Sequence, residues 1–160
     1  METDAEKKFY PDEKALRKDV VRWVANAFGL SAEYNNEFAD VEKGFGYENE
    51  LQALVNIGVI SKDVNFNPER EISRQEMAKI IVKVLEYKNI SCDEISDISG
   101  MFKDFDDISD WAKDYVRMVV SYKTMIGVGE DMFAPKNNIT KAQIATLICN
   151  VLNIIEESAM

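Results

Sequence analysis

The chain has 160 residues, 46% of them hydrophobic, and its 19 basic and 29 acidic side chains give a formal net charge of −10. So acidic a chain argues against a nucleic-acid partner, because non-specific affinity for nucleic acid comes from clustered cations. The sequence has no histidine, which removes the commonest general base and most Ser/His and Cys/His nucleophile schemes. The composition predicts one packed domain or a few small repeats that share a core.

The amino-terminal sequence METDAEKK is charged and lacks the apolar centre of a signal peptide. No apolar run reaches the roughly 18 residues of a membrane span, so no membrane insertion is expected. The chain is therefore either cytosolic, or a mature region or fragment whose leader has been removed. The two cysteines, Cys92 and Cys149, show no metal-ligand spacing and are predicted to be free thiols.

Three segments share a Phe-x-Pro loop, a cation eight residues after the Phe, and an apolar stripe beyond the cation. The Phe and the cation of the three segments are Phe9 and Arg17, Phe66 and Arg74, and Phe133 and Lys141. Apolar residues recur at offsets of 3, 4, 6, 7, 10 and 11 from the cation, which trace one face of a helix. We therefore predict a helix after each loop, with the Phe filling the space between helices and the Pro fixing the turn.

A second amphipathic segment precedes two of these loops, YENELQALVNIGVI and WAKDYVRMVVSYKTMI, each after an aromatic–aspartate stretch, EFADV (37–41) or MFKDF (101–105). The repeating unit is thus helix–loop–helix, and units this small must share a core. We predict an all-α, pseudo-repeat helical bundle, in which short loop strands are allowed, with units at 1–31 (loop and second helix only), 32–92 and 93–160. The helix absent from the first unit would leave an apolar face exposed.

The start of the middle loop helix raises a question of charge. Ser73 and Glu76 have the spacing of a capping box, as do Thr140 and Gln143. Arg74 therefore falls in the first helical turn, where the helix dipole disfavours a cation by about 0.3–1 kcal/mol. The residues leave two explanations open: the cation pairs with an acidic side chain of the next unit, or it meets an external anion at the helix amino terminus.

Other residues allow a structural and a functional interpretation. Trp111 could stack on a sugar ring or anchor the core between units, and Trp23 is expected in the core. Gly127 and Gly129 are predicted to allow positive φ, or to let a saccharide approach the backbone. The acidic segment DFDDISD (104–110) lacks the Gly and the bidentate Glu of an EF-hand loop, so we interpret it as an acidic helix entry. No isolated acid lies in an apolar setting as a glycosidase pair requires. We predict no metal, no cofactor and no catalytic residue.

The ordered motifs resemble the S-layer homology family, whose modules read approximately F-x-D-V, W-A, I-x-x-L, G-I-I-x-G-y-x-d-G-x-F-x-P and I-T-R-A-E before an apolar helix. The third unit supplies FKDF, DWAKDYVRMVV, KTMIGVGEDMFAP and ITKAQIATLICNVL. The second supplies FADV, LQALVNIGVI, FNP and ISRQEMAKIIVKVL. The resemblance covers about residues 9 to 155.

The resemblance implies a tandem α-helical module that holds exported proteins non-covalently on bacterial cell envelopes, outside the cell at the cell wall or S-layer. Its implied ligand is an anionic secondary cell-wall polysaccharide, often pyruvylated, bound in grooves between units. The T-R-A-E arginine of those grooves corresponds to Arg74 directly, to Arg17 by register and to Lys141 by substitution. The expected ligand-binding residues are Arg74, Arg17, Lys141, Trp111, Ser73, Glu76 and Gly127.

Several departures from the family's motif pattern favour an alternative function. Leu16 replaces the capping hydroxyl, so the first helix is predicted to lack a cap. Lys141 offers a point charge in place of a bidentate fork. Lys123 replaces the family's Gly, and the family's Trp falls at Gly46 in the second unit. The alternative is a protein–protein interaction or assembly module on the same scaffold with decayed glycan grooves, as a homo-oligomer or as part of a larger parent protein.

Overall fold

The chain folds into helices joined by ordered loops. The computed structural model describes residues 8–35, 37–91 and 97–159. Within these ranges it has five α-helices: α1 (Arg17–Ala27), α2 (Glu48–Asn56), α3 (Arg74–Tyr87), α4 (Lys113–Ser121) and α5 (Lys141–Ser158). Two 3₁₀ helices, Phe105–Asp107 and Asp110–Ala112, lead into α4. The described ranges contain no strand, so the predicted all-α class is confirmed. None of these helices is long and apolar enough to cross a membrane.

Three helices begin at the predicted cations, and two of them are capped. Ser73 accepts a hydrogen bond from the Glu76 amide, and the Glu76 carboxylate accepts one from the Ser73 amide at 2.9 Å. Thr140 and Gln143 form the same reciprocal pair. Leu16 makes no side-chain cap bond to α1. All three outcomes confirm the predictions from the capping pattern.

The loops before α1, α3 and α5 are joined in a closed ring of backbone hydrogen bonds. The Ala15 amide donates to the Ile139 carbonyl at 3.0 Å, Ile139 donates to Ile72 at 3.0 Å, and Ile72 donates back to Ala15 at 3.2 Å. All three side chains are almost fully buried. Among the described residues, the loops pair through isolated β-bridges and not through the short strands that the sequence allowed. The ring fixes the amino ends of the three helices relative to one another.

Two of the three helices that follow a Phe-x-Pro loop pack on the helix that comes next in the chain. α1 packs on α2 and α3 packs on α4, with the apolar faces of α2 and α4 turned inward. Phe66 and Phe133 are buried as predicted and pack on Phe38 and Phe102, with ring centroids 5.8 and 5.6 Å apart. Phe9 is only half-buried.

One face of α5 is less well covered than the same faces of α1 and α3. The positions at offsets of 4, 8 and 11 from the starting cation are buried on α1 and α3. On α5 they are Ala145 and Leu152, which are half-buried, and Cys149, an exposed free thiol. Among the helices in the described ranges, α5 contacts only α1 and α3. Among the helices that follow the three loops, α5 therefore has the less completely covered apolar face. Cys92 lies outside the described residues.

The cap of α3 can be tested by replacing Ser73 with Ala. We expect the free energy of unfolding to fall by about 1 kcal/mol, because the Glu76 amide loses its side-chain acceptor. Urea unfolding followed by circular dichroism measures the change. The control, Ser31→Ala, alters an exposed loop position and should be near neutral. Equal effects of the two substitutions would contradict a contribution of the cap.

Candidate functional site

The Arg74 side chain turns away from the amino end of its own helix and into the next loop. Its Nε donates to the Phe133 carbonyl at 2.7 Å and its Nη2 donates to the Ile126 carbonyl at 2.8 Å. Its Cζ lies 5.0 Å from the centroid of the Phe133 ring, within the range of a cation–π contact. Arg74 is 5% exposed. Burial lowers the pKa of its guanidinium, and the charge of Asp104 acts in the opposite direction.

Asp104 holds the loop that receives Arg74. Its carboxylate accepts hydrogen bonds from the amides of Phe133 and Ala134 at 2.8 and 2.7 Å. Ala134 has a φ of +55°, a strained value for a residue with a Cβ. The two charge-assisted bonds offset this strain and thereby fix the Phe133 carbonyl in position to accept from the guanidinium.

Arg17, at the start of α1, makes the corresponding contact with the loop that contains Phe66. Its Nε donates to the Phe66 carbonyl at 2.9 Å, and its Cζ lies 4.9 Å from the Phe66 ring centroid. Asp40 accepts from the amides of Phe66 and Asn67, both at 2.7 Å. Arg17 also forms a salt bridge with Glu76 through Nη1 at 3.5 Å. Burial, followed by the nearby charge of Arg70, lowers the pKa of Arg17.

Lys141 behaves differently from the two arginines. Its Nζ pairs with the Glu13 carboxylate at 2.6 Å and lies 6.0 Å from the Tyr10 ring centroid. The three cations therefore separate into two kinds. Arg17 and Lys141 each pair with an internal carboxylate, as the first of the two sequence-based explanations expected. Arg74 forms no salt bridge with any carboxylate in the described part of the chain.

A pocket of about 240 Å³ opens beside Arg74, and we call it the Arg74 groove. Its walls are mainly apolar, it contains a second cation, Lys123, and none of its lining side chains is acidic. The lining residues are Arg74, Lys123, Thr124, Met125, Ile126, Gly127, Val128, Gln143, Thr146, Leu147 and Asn150. The groove thus presents positive charge next to apolar surface.

The corresponding pocket beside Arg17, the Arg17 groove, has a volume of about 270 Å³ and a more polar lining. It contains three cations and two carboxylates among its lining residues, which are Arg17, Phe38, Val59, Ile60, Ser61, Asp63, Asn65, Asn67, Arg70, Ile72, Glu76, Lys79 and Ile80. Its most closely bound carboxylate is Glu76, which Arg70 and Arg17 both contact. The two grooves have the same construction but differ in charge.

Trp111 and the two loop glycines depart in part from the expectations. Trp111 is 49% exposed, so its interpretation as a core anchor is wrong. Trp23 is half-buried and packs against the core, as expected. Gly129 has the predicted positive φ, at +55°, but Gly127 does not. A Cβ on Gly127 would lie 2.8 Å from the Met132 carbonyl oxygen and 2.9 Å from the Phe102 ring. Close packing, and not backbone conformation, requires glycine at that position.

A family model for the S-layer homology domain matches residues 37–78 and 102–145. The chain belongs to the S-layer homology family. The two matched ranges contain Asp40 and Asp104, the phenylalanine Phe66 that accepts from Arg17, and the starting residues of α3 and α5. The resemblance inferred from the ordered motifs is therefore confirmed.

The similar proteins are surface-layer proteins and polysaccharide-degrading enzymes. They include "Exoglucanase XynX" of Acetivibrio thermocellus, 31% identical over 90% of this chain, and "Amylopullulanase" of Thermoanaerobacterium thermosulfurigenes, 30% identical over 90%. "S-layer protein EA1" of Bacillus anthracis is 29% identical over 82%. The matches span 13%, 8% and 15% of these relatives' lengths, respectively.

The S-layer homology domain is a non-catalytic module that these relatives carry within much longer chains. Family membership confirms the predicted location at the cell surface. Among the described residues, no group of three or more cysteine or acidic side chains could hold a metal ion.

Two parts of the site were missed by sequence reasoning. The first is the pair of Asp40 and Asp104, which order the loops that receive Arg17 and Arg74. Their signal was the aromatic–aspartate stretch that precedes both α2 and α4. The second is Lys123, which lines the Arg74 groove with a φ of +55°. The sequence showed it only as a replacement for the family's Gly.

Gly127→Ala should lower the free energy of unfolding by about 1–3 kcal/mol, because the added methyl group overlaps the Met132 carbonyl and the Phe102 ring. Thermal unfolding followed by circular dichroism measures the change. Gly100→Ala is the matched control, since a Cβ there meets nothing within 4 Å. If both variants melt like the wild type, the tight packing around Gly127 does not contribute to stability.

Glu76 should make the stability of the fold depend on pH. Burial raises the pKa of its carboxyl, but hydrogen bonds from Arg70 and Ser73 outweigh this effect, and the pKa lies below the ordinary glutamate value of 4.5. Stabilisation from the charged form is therefore present above pH 4.5 and is lost as pH falls through the folded pKa. Glu76→Gln should be less stable than the wild type at pH 7, and the difference should shrink towards pH 3.

Urea unfolding at pH 7, 5, 4 and 3 checks this expectation. Glu157→Gln, at an exposed position in α5, is the matched control and should show no such convergence with the wild type. A stability difference for Glu76→Gln that stays constant from pH 7 to pH 3 would contradict the role of the carboxylate.

Proposed function

We propose that this S-layer homology chain anchors a protein to the bacterial cell envelope by binding an anionic secondary cell-wall polysaccharide in the Arg74 groove. The acid group that fits best is a pyruvyl ketal. The observation that carries the proposal is the Arg74 guanidinium, which is buried, fixed by two carbonyls and paired with no described carboxylate. In this proposal units 32–92 and 93–160 are complete, unit 1–31 is partial, and Arg17 and Lys141 are weaker or vestigial equivalents of Arg74.

The electrostatics of the groove favour an acid. Arg74 and Lys123 both line it, and its lining includes no carboxylate. Desolvation of the guanidinium is costly, and an incoming carboxylate would compensate for it through charge-assisted hydrogen bonds. Because Nε and Nη2 already bind carbonyls, the guanidinium is held in one orientation before the ligand arrives. This pre-organisation reduces the entropy lost on binding.

The apolar walls favour a particular kind of acid. Met125, Ile126, Val128 and Leu147 line the groove next to the guanidinium. A ketal of pyruvate carries a methyl group and a carboxylate on one carbon, so it presents apolar surface and charge side by side. A sulfate or phosphate group would leave these apolar walls without a partner.

The remaining predicted residues have separate roles in this proposal. Gly127 lines the groove and lets Phe102 and Met132 approach its floor. Ser73 and Glu76 are engaged in the cap of α3, so they position Arg74. Trp111 is exposed but does not line the groove. It would stack on a sugar ring farther along the polymer.

Co-sedimentation with purified cell-wall sacculi, with and without their polysaccharide, tests the proposal. The chain should sediment only with sacculi that keep the polysaccharide, and Arg74→Ala should lose at least about tenfold in affinity, as expected for a buried charged hydrogen-bond partner. Arg74→Lys should recover little, because lysine cannot reproduce the planar fork.

Arg117→Ala is the matched control. Arg117 is a cation on α4 that pairs with Asp114, and it does not line the groove. It should sediment like the wild type, and all variants should keep the circular dichroism spectrum of the wild type. Equal sedimentation of the wild type and a folded Arg74→Ala variant would overturn glycan binding through Arg74.

The alternative is an assembly module on the same scaffold. The observation that favours it is the internal pairing of Arg17 with Glu76 and of Lys141 with Glu13, which leaves two of the three cations already neutralised. In that case the chain would associate with protein and not with sacculi. Failure to sediment with sacculi, whether or not they keep their polysaccharide, would support this alternative.

A further inference from the structure

The two grooves are built from equivalent parts, so their differences can be compared position by position. Each contains the first residue of one helix, Arg17 of α1 or Arg74 of α3. Each also contains the third residue of the next loop helix, which is Glu76 in α3 and Gln143 in α5. These third residues close the capping boxes of their helices in the same way. Both helices are therefore capped, whether the third residue carries a carboxylate or an amide.

In the Arg17 groove the carboxylate of Glu76 is placed among the cations. It accepts hydrogen bonds from Arg70 and forms a salt bridge with Arg17 at 3.5 Å. The third cation, Lys79, donates to the Ser61 hydroxyl, and the second lining carboxylate is Asp63. Three cations are thus balanced in part by two carboxylates before any ligand enters.

In the Arg74 groove the equivalent side chain is neutral. Gln143 uses its side-chain oxygen to accept from the Thr140 amide, and no acidic side chain lines the groove. The charge of Asp104 acts on Arg74 as that of Asp40 acts on Arg17. Beyond this shared contribution, Arg74 and Lys123 have no lining carboxylate to balance their charge, whose sign attracts an acid.

We propose that the third residue of the helix cap selects which groove accepts the ligand's acid group, so that Glu76 acts as an internal substitute for that acid and closes the Arg17 groove to it. The inference rests on the proposed function and extends it. A single chain then binds one acid group, in the Arg74 groove. The Arg17 groove remains available to uncharged, hydroxyl-bearing parts of the same glycan.

Exchanging the two residues tests the inference. The probe is a methyl hexoside carrying a 4,6-linked pyruvate ketal, titrated into ¹⁵N-labelled protein, and its methyl ester is the uncharged control. Amide shifts at Ser61 and Lys79 report on the Arg17 groove, and shifts at Ile126 and Thr146 report on the Arg74 groove. The wild type should respond to the acid only in the Arg74 groove.

Glu76→Gln should add a saturable response in the Arg17 groove and raise the stoichiometry from one to two. Gln143→Glu should weaken binding in the Arg74 groove by at least about tenfold, since it places a carboxylate beside the cations. Both variants keep a residue that closes the cap, so a loss of fold is not expected, and melting curves check this. The methyl ester should not discriminate between the wild type and either variant.

The negative outcomes distinguish failure of the cap-residue proposal from failure of the proposed function. An Arg17 groove that stays unresponsive in Glu76→Gln, or that binds the acid as tightly as the Arg74 groove in the wild type, overturns the role of the cap residue. An Arg74 groove that does not respond in the wild type overturns the proposed function, whatever the Arg17 groove does.

Discussion

The organisation of this domain depends on one interaction, the hydrogen bond from an arginine at the start of a helix to the carbonyl of a buried phenylalanine in the next loop. Arg17 makes it with Phe66 and Arg74 makes it with Phe133. The contact explains why a cation is tolerated at the positive end of a helix dipole. The guanidinium extends away from its own helix amides and contacts a carbonyl and a ring face of the neighbouring segment. These contacts offset the unfavourable interaction of the cation with the helix dipole.

Much of the fold could be predicted from local pattern. The capping boxes, the starts of α3 and α5, the uncapped α1 and the burial of Phe66 and Phe133 follow from residue spacing, because helix caps and apolar periodicity act within a few residues. The two 3₁₀ helices and the absence of strands from the described loops did not follow. The pairing of the loops depends on the ring of hydrogen bonds between distant loops, which leaves no trace in local periodicity. The 3₁₀ helices rest on local bonds such as the one from the Asp107 amide to the Asp104 carbonyl, which apolar periodicity does not reveal.

The site was predicted only in outline, for a related reason. The sequence places each cation eight residues after a phenylalanine, yet Arg74 binds the phenylalanine of the following loop and not Phe66. Spacing along the chain cannot identify a partner that the closure of the ring brings near. The same holds for Gly127, where the sequence suggested a positive φ and the structure shows the close approach of Met132 and Phe102.

The structural role of the arginines also limits what they can bind. The Arg74 guanidinium, whose Nε and Nη2 are engaged by carbonyls, has little freedom to follow a ligand, so its selectivity depends on the charges of the neighbouring side chains. In the Arg17 groove those neighbours include a carboxylate, and in the Arg74 groove they do not. In the proposed function, the same arginine–phenylalanine contact therefore serves packing alone in one groove and packing together with anion recognition in the other. The two linings differ at several charged positions, and at the one that is equivalent in both grooves an amide replaces a carboxylate while each still closes a helix cap.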